Sequence, residues 1–359
     1  MKIILNKADE AKLIKLLETK EENIAVASMF NDLCFSLDQF QDLEKASKGN
    51  LDETFKNIFY DYFELDGSNV DNKRIIDTYV RGSLTLLETK EYEDNLYKKT
   101  VNIKNISQKG YKFHYLSYPS YSIFPLDDIR VDEKDNYREY TSLGYFKNDY
   151  QYLTLSKNNN IWMCITPNEI NTMKPHLDKA KGNVITFGLG LGYFAFMAAQ
   201  KENVKKVTIV ERDIEVINLF HEYLLPLFAN ANKIEIIHDD AFNYIKKNRL
   251  INYDYAFFDL WHNAEDGLPL YIEAKSMNIA CPTGYWIEES LIALYRRCLL
   301  TVIEESLAHY SDDDYRKSKN AIDKIINQIY FKTKNLRFNS FNEIYLFLPK
   351  DNILKLISK

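Results

Sequence analysis

With 359 residues, 46% of them hydrophobic and 14% aromatic, the chain has ample apolar surface for packed interiors and a length that suits roughly two domains. No stretch reaches the roughly 20 consecutive apolar residues of a membrane helix, and the run Ile3–Leu5 is too short for a signal-peptide core, so a soluble, cytoplasmic protein without a membrane partner is expected. The net charge of −6, with Lys and Arg scattered, lacks the basic footprint of a duplex binder, and Cys34, Cys164, Cys281 and Cys298 lie too far apart for a zinc knuckle or disulfide framework. No nucleic-acid partner and no metal are therefore expected, and the thiols read as buried and free.

Residues 1–98 read as a helical N-terminal domain. Leu13, Ile14, Leu16 and Leu17 recur at near-helical spacing, and two further stretches, 50–67 and 72–90, repeat the pattern between turn residues. No nucleophile or metal spacing stands out, so a packing module and candidate homodimer surface is the expectation. Residues 99–165 change to Tyr, Phe, Thr and Ile in short runs broken by Pro, Asn, Asp and Gly, which predicts a small β-rich region with a hairpin connection at 156–160. Thr166, Pro167 and Glu169 then form a capping-box pattern that predicts a helix start, with the capping role preferred for Glu169 and a ligand-facing one as the alternative, since the helix leads into the glycine turn.

From 166 to 359 strand and helix alternate. The apolar runs 183–187, 206–210, 233–237 and 254–260 suit buried parallel strands, with helical stretches between them, so an α/β, doubly wound, mostly parallel sheet is expected. Ligands in such sheets bind outside the carboxyl ends of the strands. After the first strand comes Gly188-Leu189-Gly190-Leu191-Gly192, a turn that permits positive φ and close backbone approach at a helix N-terminus. Glu211 ends the second strand, 19 residues past Gly192, where a carboxylate can accept from both hydroxyls of a ribose. Asp239 and Asp240 follow the third strand, where an N-cap is the structural reading and adenine contact, with Ala241 and Phe242 lining the base, the functional one. Asp259 closes the fourth, followed by Trp261 and His262.

These four segments resemble the ordered motifs of class I S-adenosylmethionine-dependent methyltransferases, over about 184–262. The resemblance implies a Rossmann-like cofactor domain, with Gly188, Gly190 and Gly192 beside the methionine portion of S-adenosylmethionine, Glu211 on the ribose, Asp240 and Ala241 near adenine, and Asp259 near the sulfonium or acceptor. Thr186 stands where many members carry an acid. The spermidine synthase branch is similar at "ERDIEVI" and "DDAF" and tolerates an apolar residue at that site. Its Asp-Ser-x-Asp-Pro signature is replaced here by Asp259-Leu260-Trp261-His262-Asn263, which keeps the first acid and loses the second, although Glu265 and Asp266 stand nearby. Gly190, Gly192 and Ala195 also fit a relaxed dinucleotide fingerprint. The glycine series starting at Gly188 and the acid at Asp240 weigh against it.

The expected function is methyl transfer to a small-molecule acceptor, with Asp259 and His262 as catalytic candidates and core packing for Trp261. The alternatives are spermidine synthase-like aminopropyl transfer and a catalytically silent cofactor-binding or assembly protein. Beyond 281 the chain reads as mainly helical, with Tyr295, Arg296 and Arg297 on a solvated face and late strands completing the sheet edge.

Overall fold

The computed structural model describes residues 1–46, 50–103, 105–315, 317 and 319–358. The chain begins with a long helix, α1 (Lys7–Phe35), started by Asn6, whose side chain accepts from the amides of Ala8 and Asp9. Leu13 and Leu16 pack into the main core, whereas Val26, Phe30 and Leu33 join a second core with Phe55 and Phe59 of α2 (Leu51–Tyr62). Ile123, Leu143 and Tyr145 complete that second core. The helix ends at Phe35, which is 78% exposed.

An antiparallel sheet follows, containing β1 (Tyr111–Tyr118), β2 (Tyr150–Lys157) and β3 (Asn160–Cys164), with Ile106–Gln108 on its far edge. The hairpin expected at 156–160 joins β2 to β3 through Asn158 and Asn159, both at positive φ. The β2–β3 register shifts between Ile161 and Met163, so Trp162 is the extra residue of a β-bulge on an edge strand. The expected helix α3 (Pro167–Lys179) comes next.

The third layer is a five-stranded, all-parallel sheet. Its elements are β4 (Gly182–Phe187), α4 (Tyr193–Gln200), β5 (Val204–Glu211), α5 (Ile214–Leu219), β6 (Ile234–His238), α6 (Ala241–Asn248), β7 (Tyr255–Phe258), α7 (Ala264–Ser276), β8 (Thr283–Tyr285) and α8 (Glu288–Leu307). The strand order is β6-β5-β4-β7-β8, so the chain winds outward from β4 to one side and resumes on the other. Val184, Ile185, Val207, Ile209, Ala256 and Phe257 are all but fully buried, which is why these strands read as continuous apolar runs. Successive residues of β7 face opposite ways: Phe257 stacks on Phe194 of α4 at 4.4 Å, and Phe258 on Phe187 at 4.6 Å and Tyr285 at 4.9 Å, towards Tyr271 of α7. The reversal between β4 and β7 opens a crevice at the carboxyl ends of the strands.

Four expectations are corrected. The sheet edge is completed by β8, inside a segment read as helical, because a three-residue strand has no periodicity to detect. The late segment is helical at Ala321–Thr333, Phe341–Tyr345 and Lys350–Ile357, while Arg337–Phe338 pairs with Lys2–Ile3 rather than with the main sheet. Arg316 and Ser318, at the head of that segment, lie outside the described residues. Tyr295 and Arg296 are buried, not solvated: Arg296 Nε donates to the Leu348 carbonyl at 3.1 Å and its guanidinium lies 4.7 Å over Tyr137. Arg297 pairs with Glu139. The run expected to be helical also contains a strand, Leu84–Leu86, beyond Gly82 at φ +74°.

Candidate functional site

The glycine turn is built by three separate constraints. Gly188 sits at φ +95°, and a Cβ there would lie 2.0 Å from the Asp259 carbonyl oxygen, so glycine is what lets the tips of β4 and β7 meet. Gly192, at φ +76°, is the N-cap of α4 and packs where a Cβ would strike the Phe220 ring at 2.4 Å. Gly190, at φ +53°, has nothing within 4 Å of its added Cβ. The turn is tight at its ends and open in the middle. Replacing Gly188 with Ala is expected to destabilise the protein by about 3 kcal/mol, from backbone strain plus overlap. Replacing Gly190 with Ala costs about 1 kcal/mol but sends a methyl into the cavity. Denaturant unfolding beside titration with S-adenosylmethionine reads both; unchanged binding by Gly190→Ala would mean that this opening is not where the donor sits.

That opening belongs to a cavity of about 560 Å³ lined by Gly188, Gly190, Glu211, Asp240, Ala241, Asp259 and His262 together with Thr186. Of the residues assigned from the sequence to the cofactor or to catalysis, Gly192 alone is not among those lining the cavity; it shapes the turn from behind. The Glu211 carboxylate accepts from Leu189 N at 3.0 Å and Asp213 N at 2.7 Å, one bond to each oxygen, so each keeps a lone pair for a ligand hydroxyl. Asp240 caps α6, its Oδ1 accepting from the amides of Phe242 and Asn243, both at 3.0 Å. Among the described residues its Oδ2 has no partner, so the cap and a ligand contact are compatible.

The cavity wall also holds Glu169, for which the sequence favoured the cap over a ligand-facing role. Thr166 does cap α3, accepting from Glu169 N at 3.4 Å, but the Glu169 side chain does not return to the cap; it faces the cavity. The capping assignment for the Glu169 side chain is therefore corrected. Among the described residues neither the Glu169 nor the Asp259 carboxyl takes a hydrogen bond or an ion pair from the protein. Burial, and then the nearby charge of Glu211, pushes Asp259 up to about 7. Burial, and then Asp259, raises Glu169 well above the usual carboxylate range. His262 is exposed at the rim, its Nδ1 3.1 Å from Asp266 Oδ2. Asp266 also accepts from His262 N and Asn263 N within the capping box of α7; neither it nor Glu265 lines the cavity. Trp261 is buried, as expected, with Nε1 donating to the Trp286 carbonyl at 3.3 Å, and it also forms wall.

No family model matches the chain, and no curated protein does. Among solved structures the chain is similar to spermidine synthase from Thermotoga maritima, at 16% identity and a TM-score of 0.29, over 40% of this chain and 55% of that one. A spermidine synthase in complex with the transition-state analogue AdoDATO gives 16% identity and a TM-score of 0.28, over 40% of this chain and 54% of that one. Each match thus spans little more than half the length of the solved structure and less than half of this chain. What the cavity can do is set by its own residues.

The small sheet, given no role from the sequence, supplies Ile161, Trp162, Met163 and Cys164 to the cavity wall. Trp162, turned out of register by the bulge, stands with its ring 6.3 Å from His262 and 3.9 Å beneath Lys157 Nζ. Lys157 and Tyr111 both reach Asp213 Oδ2, at 3.3 and 3.1 Å, tying β1 and β2 to the segment after Glu211. Trp286 Nε1 donates to Thr172 of α3 at 2.9 Å. Behind Trp286, Ile287 adopts φ 46°, a strained setting for a β-branched residue, and α8 has no cap of its own. Asp128 provides one from the β-rich region, accepting from the amides of Glu289 and Ser290 at 3.0 and 3.2 Å. Among the described residues, no cluster of three or more His, Cys, Asp or Glu could hold a metal ion, and no helix is long and apolar enough to cross a membrane.

Proposed function

We propose that the chain is a transferase that moves an alkyl group from an adenosyl sulfonium donor to an amine acceptor. One observation carries the reading: two carboxyls with no hydrogen-bond or ion-pair partner among the described residues, Glu169 and Asp259, face the same cavity as an open glycine turn and the free lone pairs of Glu211. An unpaired buried acid is costly unless a ligand partner arrives, and a cationic amine is that partner. Glu211 holds the ribose hydroxyls, Asp240 Oδ2 accepts from the adenine amine, and Ala241 and Phe242 give the base an apolar wall. A bound sulfonium supplies a carbon already activated for attack.

Asp259 and Glu169 orient the amine and exclude water from it. Asp259, near 7, accepts the proton that the ammonium loses. The freed lone pair forms the C–N bond as the C–S bond breaks and its electron pair stays on sulfur. His262, at the rim, passes the proton on to solvent.

Methyl transfer from S-adenosylmethionine is the simplest form, since a methyl group needs only alignment. Aminopropyl transfer is favoured by one feature of the lining: Glu169, Glu211, Asp213, Asp240 and Asp259 face it with Arg212 as the sole Lys or Arg, so a decarboxylated donor suits its charge. Calorimetric titration with S-adenosylmethionine, its decarboxylated form and NAD separates the cases. Preference for the decarboxylated form by tenfold or more, about 1.4 kcal/mol, supports aminopropyl transfer; the reverse supports methyl transfer. Binding of NAD alone, or of none, sinks the proposal, and donor binding without turnover on any amine marks a silent relative.

A further inference from the structure

We infer that the amine acceptor carries an apolar substituent, hydrocarbon or aromatic, which lies on the cavity rim formed by Phe35 and Ile161. The inference rests on the transferase reading for the amine end alone. Phe35 is 78% exposed and Ile161 61% exposed, yet both line the cavity that holds Glu169 and Asp259. They arrive from unrelated parts of the fold: Phe35 is the last residue of α1 and Ile161 lies at the start of β3. Single exposed apolar side chains are ordinary, but two converging on one cavity mouth make an apolar rim.

The path inward from that rim is also apolar. Met163, Met173 and Leu270 also line the cavity, Met173 about one turn along α3 from Glu169, and the bulge turns Trp162 out of the β2–β3 register beside Ile161. A volume of about 560 Å³ matches the site of one drug-sized ligand. With a nucleoside seated on Glu211, only the amine end of an acceptor fits inside, and the remainder rests at the mouth. Among the described residues, the acids that line the cavity leave none free for a second ammonium there. Asp213, another acid of the lining, is already held by Lys157 and Tyr111, and Glu211 and Asp240 lie after β5 and β6, on the nucleoside side. The rim therefore selects against a diamine and for an amine with a greasy tail.

All three tryptophans of the chain, Trp162, Trp261 and Trp286, line this cavity, so intrinsic fluorescence reports its occupancy without turnover. Titration with hexylamine and with hexamethylenediamine compares chains of equal length that differ in what they place on the rim. Hexylamine is expected to bind about tenfold more tightly, and Phe35→Ser or Ile161→Ser to reduce that preference to about threefold or less while diamine binding stays unchanged. Both replaced side chains are exposed, so the variants keep their fold. Equal or tighter diamine binding, binding of neither amine, or a preference that survives both substitutions overturns the inference. So does conversion of a dimer to monomers by Phe35→Ser in sedimentation, which would make Phe35 an interface residue. Failure of the transferase reading shows separately, in the nucleoside calorimetry.

Discussion

Glu211→Ala is expected to lower the affinity for the adenosyl donor by about a hundredfold, the loss of two charge-assisted hydrogen bonds to ribose hydroxyls. The effect is large because the carboxylate works in two directions. Its oxygens hold Leu189 N and Asp213 N, so the side chain proposed to meet the ribose also fixes the glycine turn and the start of α5. Glu211→Gln keeps one acceptor oxygen and is expected to fall between the two proteins. Circular dichroism checks that the fold survives, and calorimetry with S-adenosylmethionine reads the affinity. If Glu211→Ala binds the donor as the parent does, the ribose assignment is wrong.

Asp259→Asn is expected to reduce turnover by about a thousandfold or more, by removing the base and the ammonium's partner together. It should also make the empty protein more stable at neutral pH. The sign follows from the raised titration: the unfolded carboxyl ionises near 3.8 and the folded one near 7, so its contribution is intact below about pH 4 and is lost as pH rises towards 7. The loss is on the order of a few kcal/mol, and the amide variant, which cannot ionise, avoids it. In the parent, turnover should rise as pH increases through about 7, because a protonated Asp259 cannot accept the amine's proton. Rate–pH profiles and thermal melts at pH 5 and pH 8 read both effects. A variant that loses stability at neutral pH, or a parent rate independent of pH across that interval, would remove Asp259 from this role.

The parts of the site that were legible in the sequence are those fixed by local backbone. Strands β4, β5 and β7 are buried on both faces towards their carboxyl ends and therefore appear as apolar runs, the edge strand β6 shows as Ile234, Ile236 and Ile237, and the residue after each run is placed by the strand itself. Glu211, Asp240 and Asp259 reach one cavity for that reason. For Glu169 the cap was preferred over a ligand-facing role, because Thr-Pro-x-Glu has a complete local explanation and nothing nearby in sequence shows that its side chain turns away. Trp162 gave no signal, since a bulge exists only relative to the partner strand. Strand β8 is too short for any periodicity, and buried Arg296 reads as surface until Tyr137 and the Leu348 carbonyl are brought against it.

Taken alone, the sequence determined the parallel strands, the open glycine turn and the acids at the strand tips, because alternation, φ preference and chain position are properties of neighbouring residues. Tertiary structure decided what faces those acids: Glu169 from α3, Trp162 from β3 and Phe35 from α1 come from segments up to 224 residues distant from Asp259, the separation between Phe35 and that acid. The raised titration of Asp259 belongs to the same class, since it arises from enclosure by elements that meet only in the folded chain.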